Sequence, residues 1–556
     1  MFSGESSKLN KGFIMISAFP NSSRFCRGHS AAYGLLRKVF AGFLSFISFI
    51  CAAFAQTYSD YYFIPTSGNN NKLNDVGNYN VGSISGEPAA SLPDFNANVF
   101  ITADSNGYTA NSNYANFNAR DVVFKVGDSG TGSNGAWFLL TENNTATIRG
   151  DFLFSARNAA DWVQAESGVK VLSGANFQVS GDFIVENNNI AGANNAGFKF
   201  AFKHHSFDHT NGSVFIGGNL LFRAAGRGTN WATERIEMLT KVTNFTVNGY
   251  VDLTQPIVNG SKSNLIWDLK CGGDSSAGDV GNIRVGGLRG DGALKLSKQN
   301  STVNLEFSNS EDHAWAGSLG IIDSTSVFNV TMYANNSGAK QTLRFAADSS
   351  NLDDSDACRN SAIHVPNSVS VENGILEMNF SGNVGGKLSV NGSSAAFGAT
   401  GVSPDYEYGS VAFSRIDWGG GAFAFDIFPN IDAGDLITAA KVDGDPDSGI
   451  FNVASGASGL EMKFNVSARD LEMFLYENGV ESYERAIMAW ETSSNIGEYL
   501  GDIALAVSDG VEVRLFVRDD SLVASFSAVP EPAAAAAYFA AMALALAAIR
   551  RGARKS

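Results

Sequence analysis

The stretch Phe177-Gln178-Val179-Ser180-Gly181-Asp182-Phe183-Ile184-Val185 decides the fold. Apolar residues alternate with other residues on both sides of a central glycine, which is the period of a β-strand and not of a helix. The stretch therefore predicts two short strands joined at Gly181. Glycine is expected there because it tolerates the corner or left-handed geometry that other residues resist.

The same form, apolar-x-apolar-x-Gly-x-apolar-x-apolar, recurs along the chain. Its central glycines are separated by 31, 37, 31 and 38 residues and are Gly150, Gly181, Gly218, Gly249 and Gly287. One copy cannot cover its own apolar face, so the copies must stack and bury a continuous core. This predicts an all-β fold, a Gly- and Asn-rich right-handed parallel β-helix (a solenoid). A β-sandwich with irregular loops is the alternative.

Composition agrees with an all-β chain and limits its partners. The sequence holds 59 Gly, 41 Phe and only 11 Pro, and its net charge is −16. Nucleic-acid phosphates need a basic face, so this acidity argues against nucleic-acid binding. Two cysteines, Cys271 and Cys358, lie in the body; they form either one disulfide or two free thiols.

Residues 280 to 430 resemble a known family of secreted repeats. Val285-Gly286-Gly287-Leu288-Arg289-Gly290-Asp291-Gly292-Ala293-Leu294-Lys295-Leu296 is similar to the strands of autotransporter-associated β-strand repeats. The stretches from Val371 to Leu376 and from Gly386 to Gly392 fit the same pattern of strand, Gly turn and strand. The resemblance implies a secreted passenger-like body. Few tandem copies are present and no translocator barrel follows, so the chain is not identified as an autotransporter.

The expected organisation has four parts: a signal peptide over residues 1–55, a β-solenoid body over 56–420, a β-rich cap over 421–527 and a tail over 528–556. A cap of this kind closes the open end of a solenoid. Two short segments read as helical, Trp231 to Leu239 as an insertion on one coil and Tyr483 to Trp490 on the cap.

The N-terminal region predicts export. Arg37 and Lys38 precede an apolar run from Val39 to Phe54 that forms the expected signal helix. Ala53, Phe54 and Ala55 before Gln56 have the small-x-small form of a signal peptidase site. The Sec translocon and signal peptidase are therefore expected partners.

The C-terminal tail combines a rigid polar turn, an apolar segment and a basic end. These pieces are Ala528-Val529-Pro530-Glu531-Pro532, the run from Ala533 to Ile549, and Arg550, Arg551, Arg554 and Lys555. A helix over the apolar run would be roughly 25 Å long, against a hydrocarbon core of about 30 Å. The basic residues would stay cytoplasmic, which places the body outside. The sequence therefore predicts a short C-terminal transmembrane helix.

Order, spacing and the Pro530-Glu531-Pro532 motif resemble the PEP-CTERM sorting signal of Gram-negative bacteria. The resemblance covers about the last 28 residues. It implies recognition by an exosortase in the inner membrane, cleavage near the motif, and transfer to the cell surface or extracellular matrix. A plain C-terminal anchor is the alternative.

Candidate metal ligands occur in two places. His205 and His209 lie in a His-rich segment, where an extended backbone would put them on one side. Asp443, Asp445 and Asp447 alternate on a turn, as carboxylates that converge on Ca²⁺ do, although the glycine falls one place late and the position of the bidentate Glu holds Ala454. A solvated loop is the alternative at both places, and no other cofactor is expected.

The leading hypothesis is a non-enzymatic, exported structural or adhesive protein of the cell surface or matrix. No nucleophile elbow, zinc-protease motif or phosphate loop occurs in the sequence, and no catalytic residue is predicted. The alternative is a secreted polysaccharide-degrading or glycan-binding protein on the same scaffold, with extracellular polysaccharide as its partner.

Overall fold

The structure is a computed structural model of the chain. It describes residues 58–64, 71–103, 109–112, 115–126, 136–156, 166–187, 198–203, 212–224, 235–255, 257–258, 261–262, 264–270, 279–346, 365–401, 408–529 and 540–545.

Most of the described residues lie in strands. The strands of the N-terminal part are β1 (Ser59–Phe63), β2 (Tyr79–Val81), β3 (Glu87–Pro88), β4 (Ala97–Ala103), β5 (Thr109–Asn111), β6 (Phe117–Ala119), β7 (Asp121–Val126), β8 (Trp137–Leu140), β9 (Thr145–Ile148), β10 (Phe152–Ala156), β11 (Glu166–Val171), β12 (Asn176–Val179) and β13 (Phe183–Asn187).

The strands of the middle part are β14 (Phe198–Lys203), β15 (Ser213–Ile216), β16 (Leu220–Ala224), β17 (Arg235–Lys241), β18 (Asn244–Leu253), β19 (Ile257–Val258), β20 (Ser261–Lys262), β21 (Asn264–Asp268), β22 (Val280–Gly290), β23 (Ala293–Leu296), β24 (Thr302–Phe307), β25 (His313–Gly317), β26 (Leu319–Ile321), β27 (Val327–Tyr333) and β28 (Lys340–Phe345).

The C-terminal part holds β29 (Ser368–Asn379), β30 (Val384–Ala399), β31 (Ser410–Phe428), β32 (Ala433–Gly434), β33 (Leu436–Ala439), β34 (Ile450–Val466), helix α1 (Ala468–Asn478), β35 (Tyr483–Trp490), β36 (Ser493–Ser494), β37 (Ala504–Val507), β38 (Val511–Arg518) and β39 (Ser521–Ala528). Short 3₁₀ helices span Val76–Asn78, Pro429–Ile431 and Ile496–Asp502.

The strands stack as parallel ladders, so the fold is β-helix-like. Ladder A holds the segments before the glycine corner, from β6 through β9, β12 and β15 to the first parts of β18, β22 and β29–β31. Ladder B holds the segments after the corner, from β4 through β7, β10, β13 and β16. Long strands such as β18 and β22 run through both ladders. Parallel pairing of this kind excludes the sandwich alternative, whose strands pair antiparallel.

A third ladder completes each of the earlier coils. Ladder C is an eight-stranded sheet in the order β26-β23-β21-β17-β14-β11-β8-β5, and every neighbouring pair in it is parallel. The repeat in the sequence covers only two strands per coil, because ladder C falls between successive copies of the motif. Three strands per coil enclose the core from three sides.

Phenylalanine fills the interior along the stack. Phe152 and Phe183 occupy the same register position on neighbouring coils, and their rings stack with centroids 4.9 Å apart. Phe177, Phe138 and Phe200 pack edge-on or tilted against this column. These rings are all fully buried. The inward positions of the motif therefore make one continuous core, as stacking requires.

The corner glycines stack directly on one another. The backbone N–H of Gly181 donates to the carbonyl of Gly150, and those of Gly218 and Gly249 each donate to the preceding corner glycine, all at 2.9 Å. A Cβ at Gly181 would overlap Asp151 Oδ1 and would lie 2.7 Å from the carbonyl oxygen of Gly150. Close approach between coils, and not a left-handed backbone, is therefore what requires glycine here.

A series of Asp and Asn side chains links neighbouring coils; Asp151, Asp182 and Asn219 directly follow corner glycines, and Asp121 follows Arg120. Asp121 Oδ1 accepts from the N–H of Asp151 at 2.9 Å, and Asp151 Oδ1 accepts from the N–H of Asp182 at 2.8 Å. Asp182 and Asn219 continue the series to the N–H groups of Asn219 and Tyr250. Each side chain satisfies an N–H that the bend would leave without a strand partner. We call this series the Gly–Asp corner.

One corner assignment from the sequence is wrong by a residue. Tyr250 pairs with Gly287, so Gly286 stacks on Gly249. A Cβ at Gly286 would lie 2.5 Å from the carbonyl oxygen of Gly249. Gly287 instead faces the ring of His313. Two adjacent glycines made this position ambiguous from the sequence alone.

The two predicted helices are wrong within the described residues. Residues 235–239 of the segment Trp231–Leu239 belong to strand β17, which lies between β14 and β21 in ladder C. The segment Tyr483–Trp490 is strand β35, paired antiparallel with β39. In both cases inter-strand pairing overrides a weak local helical pattern.

A helix that the sequence analysis missed is α1. Ser467 caps its N-terminus by accepting from the N–H of Asp470, and Gly479 ends it with φ 63°. A Ser directly before a stretch of helical apolar periodicity indicates the start of a helix, and a Gly directly after it indicates the end. Leu471 is its buried residue, and Phe474 packs edge-on against Tyr483.

Both ends of the stack use antiparallel strands. At the N-terminal end β1 pairs with β2, and β2 with β3. The boundary expected at residue 420 falls inside β31, and parallel pairing continues as far as β34 with β37. Beyond it, β39 pairs antiparallel with both β35 and β38. At the N-terminal end the edge strand β3 is only two residues long, which limits edge-to-edge association.

We expect Gly181→Ala to destabilise the fold by about 1–3 kcal/mol, because an added methyl must push two coils apart. The control is Gly501→Ala, since a Cβ there meets nothing within 4 Å; it should change stability by less than about 0.5 kcal/mol. Urea unfolding followed by circular dichroism measures both. Equal midpoints for the two variants would contradict a close-packed corner.

Candidate binding face

The outward side of ladder A carries two columns of side chains in register, all of them polar except Phe215. The first column crosses ten coils and consists of Thr145, Asn176, Ser213, Asn244, Asn282, Asn304, Asn329, Ser368, Lys387 and Arg415. The second lies two residues further along each strand and consists of Thr147, Gln178, Phe215, Thr246, Arg284, Glu306, Thr331, Ser370, Ser389 and Asp417. We call these residues the polar face.

Hydrogen bonds join the side chains of the first column to one another. Asn304 Nδ2 donates to Asn282 Oδ1 at 3.1 Å, and Asn329 Nδ2 donates to Asn304 Oδ1 at 3.0 Å. Ser368 Oγ continues the series by donating to Asn329 Oδ1 at 2.7 Å. Each amide has a second hydrogen and a second lone pair. The ladder therefore fixes the side chains while leaving them able to bond to a ligand.

The charged members of the polar face pair with each other. Arg284 Nε lies 3.2 Å from Glu306 Oε1, and Lys387 Nζ lies 2.6 Å from Asp417 Oδ2. Arg415 Nε contacts Asp417 Oδ1 at 3.1 Å. Burial raises the pKa of Asp417, but hydrogen bonds from Lys387 and Asn452 and the charges of Lys387 and Arg415 outweigh it, so the pKa lies below its usual value. The face thus carries almost no net charge on a chain whose net charge is −16.

The spacing of the polar face suits a repetitive ligand. Neighbouring strands lie about 4.8 Å apart, and residues i and i+2 on one strand lie roughly 7 Å apart. Neutral amides and hydroxyls on such a lattice can make many weak hydrogen bonds to a hydroxyl-rich polymer. Phe215, which is 37% exposed, is the one aromatic member.

A second group lies on the outward side of ladder B. Arg289 Nε donates to His313 Nδ1 at 2.7 Å, Arg289 Nη2 lies 2.8 Å from Glu311 Oε1, and the guanidinium lies 3.8 Å from the ring centre of Tyr250. Burial and the charge of Arg289 lower the pKa of His313. Because Nδ1 accepts from Arg289, neutral His313 carries its proton on Nε2 and has no free lone pair for a base.

A buried carboxyl lies where β31 approaches the segment between β32 and β33. Asp435 Oδ1 accepts from the N–H of Gly409 at 2.9 Å, and Oδ2 accepts from the N–H of Asp426 at 2.8 Å. Burial raises the pKa of Asp435 to about 8, and the charges of Asp426 and Glu377 act in the same direction against the two N–H donors. The group ties together two chain segments and is largely uncharged near neutral pH.

The structure describes the turn that carries the candidate calcium ligands Asp443, Asp445 and Asp447. Asp445 Oδ1 accepts from the N–H of Asp447 at 3.0 Å, which is a local turn, and all three aspartates at 443, 445 and 447 are exposed. Within the described residues no group of three or more His, Cys, Asp or Glu side chains could hold a metal ion. His205, His209, Cys271 and Cys358 lie outside the described residues.

Most of the predicted export signals also lie outside the described residues. This holds for Ala53, Ala55, Gln56, Pro530, Glu531, Pro532, Ala533, Ile549, Arg550, Arg551, Arg554 and Lys555. Val529 directly follows β39, is exposed, and donates its N–H to the carbonyl of Gly510 at 2.9 Å. Residues 540–545 are helical and exposed. Among the described residues there is no helix of the length and apolarity needed to cross a membrane.

Sequence reasoning missed the polar face as a unit. The sequence does carry a pattern that indicates this face. In the repeat motif the first apolar residue has a polar residue on each side, as in Asn176-Phe177-Gln178 and Asn244-Phe245-Thr246. Comparison of the chain with protein-family models, with curated proteins and with solved structures finds no match.

We expect acid to weaken the Arg289–His313 contact. The unfolded pKa of His is about 6.5 and the folded pKa is lower. The stability from neutral His313 is therefore complete above about pH 6.5 and is lost as the pH falls through the folded pKa. The loss should be about 1–3 kcal/mol, the cost of a buried hydrogen bond left unmade.

Thermal unfolding at pH 8 and pH 5 measures this effect. In His313→Asn the amide oxygen replaces Nδ1 and does not titrate, so the variant should lose less stability than the wild type. An equal loss in both proteins would show that His313 does not carry the effect.

Proposed function

We propose that this protein is exported and works outside the cell as a structural or adhesive element of the surface or matrix. The polar face carries the proposal: it is a repetitive surface with a net charge close to zero, and the core beneath it holds it rigid. Such a lattice binds polymers through many weak contacts and needs no catalytic group. The proposal includes the handedness of the fold, a right-handed parallel β-helix. Connections between parallel strands are almost always right-handed, which supports this handedness.

The route of export rests on the two ends of the sequence. A Sec-type signal ending at Ala55 opens the chain, and the motif Pro530-Glu531-Pro532 with its apolar and basic segments closes it. An exosortase would cleave near the motif after the inner membrane has held the chain transiently. The last strand, β39, ends one residue before Val529. A cut after Val529 would therefore leave every strand that the structure describes intact.

Glycan binding without turnover is the form of adhesion that the polar face favours. Its amides and hydroxyls match the hydroxyl groups of a neutral polysaccharide, and Phe215 offers an apolar surface to a sugar ring. A polysaccharide-degrading enzyme is the weaker alternative. It needs a base or paired carboxylates, and in the Arg289 group the imidazole nitrogen that could act as a base is engaged.

We expect deletion of residues 530–556 to block sorting. A reporter fusion of the full chain should be processed near Val529 and reach the surface fraction, whereas the truncated fusion should be secreted without that processing step. Fractionation with immunoblotting measures both. A matched control replaces Arg550 and Arg551 by Lys, which keeps the charge and should sort normally. Identical maturation of the full and truncated chains would refute the sorting proposal.

We expect Thr331→Arg to weaken retention on insoluble cellulose or chitin by roughly threefold to tenfold, which corresponds to about 1 kcal/mol of lost hydrogen bonding. The new side chain covers the lattice and lies beside Glu306, so the fold should tolerate it. Thr102→Arg is the control, since Thr102 is exposed on ladder B. Equal retention of the two variants would show that the polymer does not bind to the polar face. Release of reducing ends from the polymer would favour the enzyme.

A further inference from the structure

Three buried ionisable side chains meet on the outward side of ladder C, away from the polar face, and the partly exposed Lys199 lies at their edge, with its Nζ 3.4 Å from Glu237 Oε2. Asp268 on β21 and Lys295 on β23 are directly opposite each other in register. Glu237 on β17 lies two residues before Leu239, the register partner of Asp268. The side chains therefore come from three adjacent strands of one rigid sheet.

The distances bring an amine against two carboxyl groups. Lys295 Nζ lies 2.9 Å from Glu237 Oε1 and 3.8 Å from Asp268 Oδ2. All three residues are buried, with 2% of Glu237, 2% of Asp268 and 6% of Lys295 exposed. Ile266 and Ala293, which pack together beside them, are buried as well. Water is thus largely excluded from the group.

The Asp268 carboxyl is held in a defined orientation. Ser297 Oγ donates to Asp268 Oδ2 at 2.6 Å, and the N–H of Ser297 donates to Asp268 Oδ1 at 3.3 Å. Burial and the charge of Glu237 raise the pKa of Asp268, while the charge of Lys295 opposes them. A buried amine–acid pair can exchange its proton and become an uncharged amine and an uncharged acid, because burial penalises both charges.

We propose that Lys295 and Asp268 form an intramolecular isopeptide bond, with Glu237 as the proton carrier. The amine nitrogen of Lys295 attacks Cγ of protonated Asp268, and the N–H of Ser297 stabilises the negative charge on Oδ1. Glu237 takes a proton from Nζ and delivers it to Oδ2, the Cγ–Oδ2 bond breaks, and one water leaves. The product is an amide between Cγ and Nζ, and no oxidant or cofactor is needed.

The short distance between the amine and the carboxyl groups and the exclusion of water both favour this reaction. Held reactants behave as if at about 10⁵ M or more, and exclusion of water removes the competing hydrolysis. Other lysine–acid pairs are more exposed: in Lys340–Glu377, at 3.0 Å, 37% and 21% of the side chains are exposed. Lys340 therefore supplies a matched control. The cross-link would join neighbouring coils covalently, which is independent of how the protein is exported.

Mass spectrometry of the purified, denatured full chain tests the proposal. The wild type should be lighter than its sequence by one water. Trypsin should release residues 263–270 joined to residues 290–298, because acylated Lys295 is no longer cleaved. Lys295→Arg and Glu237→Gln should both abolish the joined peptide, and Lys340→Arg should retain it.

The digest of the wild-type protein shows whether the isopeptide bond forms, even if a variant fails to fold. Residues 263–270 and 290–295 released as separate peptides at full mass would overturn the proposal. A water loss confined to the single peptide 290–295, as a cyclised Asp291-Gly292 would give, would overturn it equally. If the joined peptide formed in Glu237→Gln as fast as in the wild type, Glu237 would not be the proton carrier.

Discussion

The Gly–Asp corner is the contact on which the rest of the structure depends. At Gly150, Gly181 and Gly218 the missing Cβ lets the neighbouring coil approach, and the Asp or Asn that follows each glycine accepts a hydrogen bond from the backbone N–H of the next coil. The two effects act on the same two residues, so each corner can stack in only one register. Because side chains alternate along a strand, a slip of one residue would turn Phe177 and Phe183 outward. The corner thus sets both the core and the surface.

The polar face is a consequence of that register. Once the inward positions hold Phe and Val, the flanking positions point to solvent, and their side chains fall above one another on every coil. Asn is favoured there because its amide can both donate to one neighbour and accept from the other, as Asn304 does. A repetitive surface therefore arises without any single strong binding residue. Affinity for a polymer would depend on the number of coils in contact, and a change at one position would reduce it only in part.

The repeat in the sequence predicted the two strands around each corner, because alternation and glycine spacing are local signals. Ladder C was not predictable in the same way, since strands such as β14 and β17 follow segments of variable length. Residues 235–239 read as helical because their apolar positions also fit a helical period, and only pairing with β14 and β21 decides between the two. The order of two glycines at Gly286 and Gly287 was ambiguous for a similar reason. Helix α1, by contrast, carried readable caps at Ser467 and Gly479.

The buried charges of ladder C could not be found from the sequence, because Glu237, Asp268 and Lys295 are far apart in the chain and meet only through register. Their presence needs a physical reason. Desolvation of such a group costs several kcal/mol per ion, and apolar residues of similar volume would often give equal or greater stability. Solubility does not explain it, since these side chains hardly contact water. A reaction that consumes one amine and one carboxyl would remove two of the buried charges and leave a neutral amide, so the cost of burial would be relieved by the bond it promotes. The same sheet holds Lys241 against Glu166 at 2.6 Å, but Glu166 is partly exposed and can stay charged. Burial, and not proximity alone, separates the two pairs.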